Sequence, residues 1–325
     1  MNLIALPVNS ANFSAGRNRQ NYYWREDVVR SRIIFFFVLA IFLGPDAHSL
    51  DREDPFATHE KALVDAIIAG DDEKVSAILT TPYILINRPV TYACSLGQPC
   101  GGYTYLGLAT RVCDHWITKL LLNAGADPRL ANKWGGSAMA MAVTRAANSG
   151  QPESGCSFTV KYLIGAGVGP NESMAIDSGF SMKPLQYVAW KGCRMGLAMG
   201  SIGMVWTLRE SGGDVNIPLG QLPFASAFTP EDSALHMFAA QFTRNCDELA
   251  EAFVAKTAVI PVAPDFDKLN GRGARPIDLA ATRCKRQPKP DYTYPTDQMM
   301  KKVVEIWRSS GSPDPSPNMK FCAWP

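Results

Sequence analysis

The sequence predicts an all-α solenoid of stacked helix pairs, and three observations point to it. From about Thr58 onward one unit recurs: a short apolar helix, a tight break, a second Leu-rich helix and a Gly-rich turn. The apolar positions keep helical spacing, so that Val75, Ile78 and Leu79 share a face, as do Ile117, Leu120 and Leu121, and Met300, Val303, Val304 and Trp307. Each pair is too short to bury such a face alone, so neighbours must stack and share one long core.

The elements follow in order. An opening unit, Leu63 to Asp71 and then Val75 to Leu79, reads as a capping repeat. The clearest copy is Tyr103-Thr104-Tyr105-Leu106-Gly107-Leu108-Ala109 followed by Asp114-His115-Trp116-Ile117-Thr118-Lys119-Leu120-Leu121-Leu122-Asn123-Ala124-Gly125-Ala126-Asp127-Pro128. Further copies open at Ser137, Lys183, Ser233 and Arg275 and lead to second helices near Val160, Met204, Leu249 and Val303, for about six repeats in all. This unit resembles the ankyrin repeat, whose first helix opens with Thr-Pro-Leu-His-x-Ala and whose second ends in a Leu-Leu-x-x-Gly-Ala-Asp turn. Thr104, Ser137, Lys183, Ser233 and Arg275 stand 33, 46, 50 and 42 residues apart, so all intervals after the first carry long insertions between repeats or between helices. Ala109, Ala142, Ala189, Ala239 and Ala280 recur where first helices approach closely, and Gly125, Gly167 and Gly213 are placed to end second helices in a left-handed conformation.

Ahead of the repeat domain, 58–325, lies a separate segment, 1–49. The uncharged run Ile33 to Gly44 follows Arg30 and Arg32, ends at Pro45, and precedes Ala47-His48-Ser49. Twelve helical residues span roughly 18 Å, short of a hydrocarbon core of roughly 30 Å. The order basic, apolar, small marks a secretory signal peptide, or a signal-anchor if it stays uncut. The expected location is therefore periplasmic or secreted, with membrane contact only through this segment.

The 325-residue chain has a net charge of +2. Removing Arg17, Arg19, Arg25, Arg30 and Arg32 with Glu26, Asp27 and Asp46 leaves basic and acidic residues in balance. Such a chain has no electrostatic reason to seek nucleic acid.

Eight cysteines and only four histidines argue against zinc. Five of them, Cys113, Cys156, Cys193, Cys246 and Cys284, fall at the break between first and second helices, where ankyrin repeats usually have the glycine that Gly70 still shows. Cys94 and Cys100 bracket a loop, and Cys322 lies in the tail. Small buried thiols are one reading; in an exported chain disulfides are the other, and the one carried forward. Eight cysteines allow 105 pairings. The expected set is Cys94–Cys100 within one loop, then Cys113–Cys156, Cys193–Cys246 and Cys284–Cys322 between neighbours. Equivalent points in adjacent repeats lie on the order of 10 Å apart, so each such bridge requires the breaks to bend together.

No catalytic motif is present: no Gly-x-Ser-x-Gly, Ser-x-x-Lys, His-Glu-x-x-His or phosphate-binding Gly loop. No cofactor is called for. His236 occupies the family's Thr-Pro-Leu-His slot, where the resemblance implies bonding between repeats. His115 and Asp114 read as a helix start, Asp71, Asp72 and Glu73 as helix-start charges, and Arg283, Lys285, Arg286 and Lys289 as a solvated basic loop that can meet an acidic partner. Candidate partner contacts are Trp134 in the turn Leu130 to Trp134, and Leu219, Leu222, Phe224 and Phe228 in the apolar insertion Ile217 to Pro230. The expected function is an exported protein-binding module rather than an enzyme, with an immunity or inhibitor protein acting on a periplasmic toxin or effector as its specific version. The alternative is an envelope redox or oxidative-stress factor, or a scaffold, using the cysteines.

Overall fold

The computed structural model describes residues 55–91, 100–149, 154–176, 180–192, 199–220, 228–241, 246–282 and 297–316, all within the unit Arg52–Pro325. The apolar run 33–44, the basic loop 283–289, Leu222, Phe224 and four of the cysteines (Cys94, Cys193, Cys284, Cys322) lie outside the described residues.

Among the described residues twelve helices form two rows. The first row is α1 (Pro55–Ala69), α3 (Tyr105–Arg111), α5 (Ala138–Asn148), α7 (Pro184–Lys191), α9 (Ala234–Gln241) and α11 (Pro276–Thr282). The second is α2 (Asp72–Leu79), α4 (His115–Asn123), α6 (Ser154–Gly165), α8 (Met199–Glu210), α10 (Asp247–Val254) and α12 (Asp297–Ser309). Each helix packs on the next member of its own row, which is the stacked-pair solenoid the sequence predicts. Ala109, Ala142, Ala189, Ala239 and Ala280 are fully buried along the first row, where a larger side chain would hold the helices apart. The second row supplies bulk: Ile117, Leu121, Val160, Leu163, Val205, Leu208, Leu249, Phe253 and Trp307 are buried.

The first-row helices start by two chemically different routes. Thr104 and Ser137 cap their own helices, the hydroxyls accepting from the N–H of Gly107 (2.9 Å) and Ala140 (3.2 Å). Lys183, Ser233 and Arg275 instead receive help from the residue three places on. Gln186 Oε1 accepts the Lys183 N–H (3.1 Å), His236 Nδ1 the Ser233 N–H (3.2 Å), and Asp278 Oδ2 the Arg275 N–H (3.1 Å). The far end of each of these side chains reaches the segment that follows: the next repeat for Gln186 and His236, and the tail after α12 for Asp278. Gln186 Nε2 donates to Ile217 and Pro218 carbonyls, His236 Nε2 to Ala274 O (3.1 Å), and Asp278 Oδ1 accepts the Ser316 N–H (2.8 Å). The inter-repeat role expected of His236 is therefore observed, Gln186 shares it, and Asp278 ties the last repeat to the tail after α12.

A ladder of asparagines ties the turns after the second row. Asn87 donates to Gly125 O and accepts from the Asp127 N–H; Asn171 does the same with Gly212 and Asp214, and Asn216 with Ala263 and Asp265. In the remaining rung Arg129 reaches Gly167 O and Glu172. The left-handed residue ending α8 is Gly212 (φ 93°) rather than the expected Gly213. Gly213 is needed for another reason: a Cβ there would sit 2.7 Å from Leu208 O.

The loops before the first-row helices form short fingers. Asn132 and Asn270 build the same turn, each Oδ1 accepting two backbone N–H groups, with Gly135 and Gly273 at positive φ. Lys133 N–H donates to Gly102 O in the adjacent finger (2.8 Å). One finger has become a strand pair, β1 (Met174–Ile176) and β2 (Phe180–Met182), antiparallel with Met174 opposite Met182. This departure from an all-α chain falls within the 46-residue interval, where the insertion supplies enough chain for a hairpin.

Cys113 and Cys156 form the expected disulfide, with Cα atoms 4.5 Å apart. The break at Cys113 bends towards its neighbour, because Cys113 is the non-glycine residue held at positive φ (58°). Cys156, placed in a break by the sequence reading, instead lies in the first turn of α6. Gly155 lets the two meet, since a Cβ there would stand 2.5 Å from Cys113 O. Cys100 and Cys246 are also disulfide-bonded.

Candidate functional site

Two aromatic and cationic clusters stand on the second and third repeats. The first includes the predicted contact Trp134. Its ring leans on Tyr103 (centroids 4.8 Å apart), Lys133 Nζ lies 4.5 Å from its centroid, and Arg111 covers the Tyr103 ring at 5.1 Å. Lys133 extends along Gly102, where a Cβ would collide with its methylenes. Trp134 therefore stays about one-third exposed on a stiffened finger, its ring flanked by cations.

The second cluster escaped the sequence reading. Trp116 on α4 and Phe158 on α6 are 54% and 48% exposed, and Val112 in the break between α3 and α4 is 45% exposed. His115 sits among the rings, 5.0 Å from Trp116, 5.3 Å from Phe158 and stacked 6.4 Å from Tyr162. Lys119 lies 5.6 Å from the Trp116 ring and 5.7 Å from the Tyr162 ring, and Lys161 lies 6.0 Å from Phe158. Aligning the turns at Gly125 and Gly167 puts Trp116 over Phe158 and Lys119 over Lys161. The signal was present in the sequence but hidden, because the first-helix interval of 33 residues suggested a different alignment of the second helices. A cleft of about 320 Å³ adjoins this cluster, lined by Ile67, Ile68, Gly70, Val112, Cys113 and Trp116 together with Asp114 and His115. Asp114, rather than His115, caps α4: its Oδ1 accepts the Ile117 N–H at 2.9 Å.

The predicted insertion contacts behave differently. Leu219 and Phe228 are partly buried and pack against the core. The insertion closes on itself, Leu219 N–H donating to Asp232 O and Gly220 N–H to Pro230 O, both at 2.8 Å. These two side chains pack the insertion onto its own repeats.

Three buried titratable groups hold the solenoid together through their bonds. Burial pushes the His236 imidazole towards its neutral form, against the opposing pull of Asp232. Burial likewise brings Arg209 down to about 10, although its guanidinium donates to Ala252 O (3.0 Å) and Ala255 O (2.8 Å) at the end of α10 and to Val262 O (3.0 Å) in the loop after it. For Asp278 burial acts upward, and the bonds from Arg275 and Ser316 outweigh it, leaving the carboxyl below its usual range. Among the described residues no cluster of His, Cys, Asp and Glu is arranged to hold a metal ion.

No family model matches the chain, and no curated protein matches it. Among solved structures it is similar to an ankyrin repeat domain from Acinetobacter baumannii, at 17% identity and a TM-score of 0.49, covering 78% of this chain and 100% of that one. The fold itself rests on the two stacked rows, the left-handed glycines and the bonds between repeats. The architecture is that of an ankyrin-type solenoid.

Proposed function

We propose that the protein is an exported binding module whose ligand is another protein, held outside the cytoplasm as an immunity or inhibitor protein against a toxin or effector. The observation that carries the binding role is where the chemistry lies. His236 and Arg209 are spent on joining repeats and Asp278 on holding the tail after α12, while Trp116, Phe158 and Trp134 stand exposed beside cations, as recognition residues do. Export is supported by the leader-like segment and by the Cys113–Cys156 bridge, a bond that persists in oxidising compartments. A redox role is less well supported, since Cys156 is fully buried and Cys113 only 8% exposed.

The test is crosslinking and purification from the periplasmic fraction without reductant. A stoichiometric protein partner, whose activity the purified protein suppresses, is expected. Recovery of the protein in the cytosolic fraction, or alone after crosslinking, would reject the reading.

A further inference from the structure

The exposed face of α4 and α6, with the cleft beside it, has the chemistry of a site rather than of a solvated helix surface. Its three features are ordered in space. The cleft has apolar walls in Ile67, Ile68 and Val112, and Asp114 on its lining makes it unfavourable to a carboxylate. Trp116 borders the cleft and leads to Phe158 through the His115 ring. Beyond the rings come Lys119 and Lys161, at the same place on consecutive helices. Among the described residues Lys119 meets aromatic rings but no carboxylate. Lys161, beside the Phe158 ring, makes an exposed contact with Glu210 at 3.6 Å, of a kind that contributes little.

We infer that this face binds an extended segment of a partner protein, with an aromatic or large aliphatic residue in the cleft and acidic residues over Lys119 and Lys161. The spacing follows from repeat geometry. Neighbouring helices lie about 10 Å apart, and a chain extended in the polyproline II conformation, rising about 3.1 Å per residue with three residues per turn, covers roughly that distance in three residues and returns its side chains to the same face. The recognised pattern is therefore an apolar anchor followed by two acidic residues three positions apart. The direction is fixed, because Asp114 at the cleft end repels what the lysines at the other end attract. This inference rests on the protein-binding reading above and assigns it a face: the second-row helices, away from the fingers that carry Trp134.

A random twelve-residue peptide library, panned against the oxidised protein, tests it. Enriched peptides should carry the anchor and the acidic pair, and as synthetic peptides should lose at least tenfold in affinity for Trp116→Ala and for Lys119→Glu. Both substitutions are at exposed positions, and unchanged circular dichroism and melting would show that the variants fold. Enrichment of basic or uncharged sequences, no enrichment, or affinity indifferent to both substitutions would overturn the inference. So would capture by vesicles of phosphatidylglycerol, or self-association, that depends on Trp116. Acidic peptides whose affinity falls only with Trp134→Ala would overturn this face while leaving the binding reading intact.

Discussion

His236 and Ala274 lie in consecutive repeats and are joined by one hydrogen bond, from imidazole Nε2 to the carbonyl oxygen, at 3.1 Å. The tautomer follows from the other nitrogen. Nδ1 faces the Ser233 N–H, which can only donate, so Nδ1 accepts and Nε2 carries the proton. A second proton on Nδ1 would break the helix start, and burial opposes it as well.

Stability should therefore fall as pH drops through this group. The folded-state pKa is depressed, so the contribution of His236 is fully present above the unfolded value of about 6.5 and is lost as pH falls from there towards the folded value. Gln186 shows that glutamine performs the same double task. His236→Gln should consequently fold with nearly wild-type stability at pH 7.5 and lack the decline that sets in as pH falls below about 6.5. Urea unfolding of both proteins at several pH values measures this; parallel curves would contradict it. His236→Ala should cost about 1–3 kcal/mol at pH 7.5, leaving the Ala274 carbonyl without its donor.

Arg209 is a second bond between repeats, with three carbonyls at one guanidinium. Lysine lacks the planar fork and cannot reach all three. Arg209→Lys should lose about 1–3 kcal/mol and Arg209→Ala more, seen as a lower denaturant midpoint. A lysine variant as stable as wild type would show that the three bonds contribute little.

The Cys113–Cys156 bridge encloses 43 residues of sequence separation, so its loss should cost about 2–4 kcal/mol. The choice of replacement matters. Because Cys113 sits at φ 58°, Cys113→Gly with Cys156→Ala should be more stable than Cys113→Ala with Cys156→Ala by about 1 kcal/mol, reversing the usual order of alanine and glycine. Thermal melts of the two double variants decide it; alanine melting higher would mean that the break relaxes to negative φ.

The asparagine ladder should behave additively. Asn171→Ala and Asn216→Ala each strand a turn carbonyl and an N–H at separate junctions, at about 1 kcal/mol or more apiece. Their double variant should sum the two losses, and a clear excess would reveal coupling through Asp214 and Val215 between them.

Helix starts and small buried alanines could be read from the chain because they depend on local bonding and close packing. Thr104, Ser137, Lys183, Ser233 and Arg275 all stand at the expected helix openings. The left-handed position was read one residue late, at Gly213, because two adjacent glycines give the same signal and only their neighbours distinguish them. The β1–β2 pair was missed because three-residue strands are too short for an alternating pattern. The cluster around Trp116 was missed for a reason of register. The insertion between α5 and α6 lengthens the second-row spacing relative to the first, so Trp116 and Phe158 do not look equivalent until both turns are aligned.

The disulfide between the second and third repeats also has a mechanical consequence. A chain drawn out from its two ends yields contour as repeats detach, but the residues enclosed by Cys113 and Cys156 are withheld while the bond is intact. At roughly 3.3–3.6 Å per residue the missing extension is roughly 140–150 Å. The withheld segment carries Trp116, Lys119 and Trp134. An attached partner could thus be pulled upon without the ground beneath those three side chains being paid out as slack.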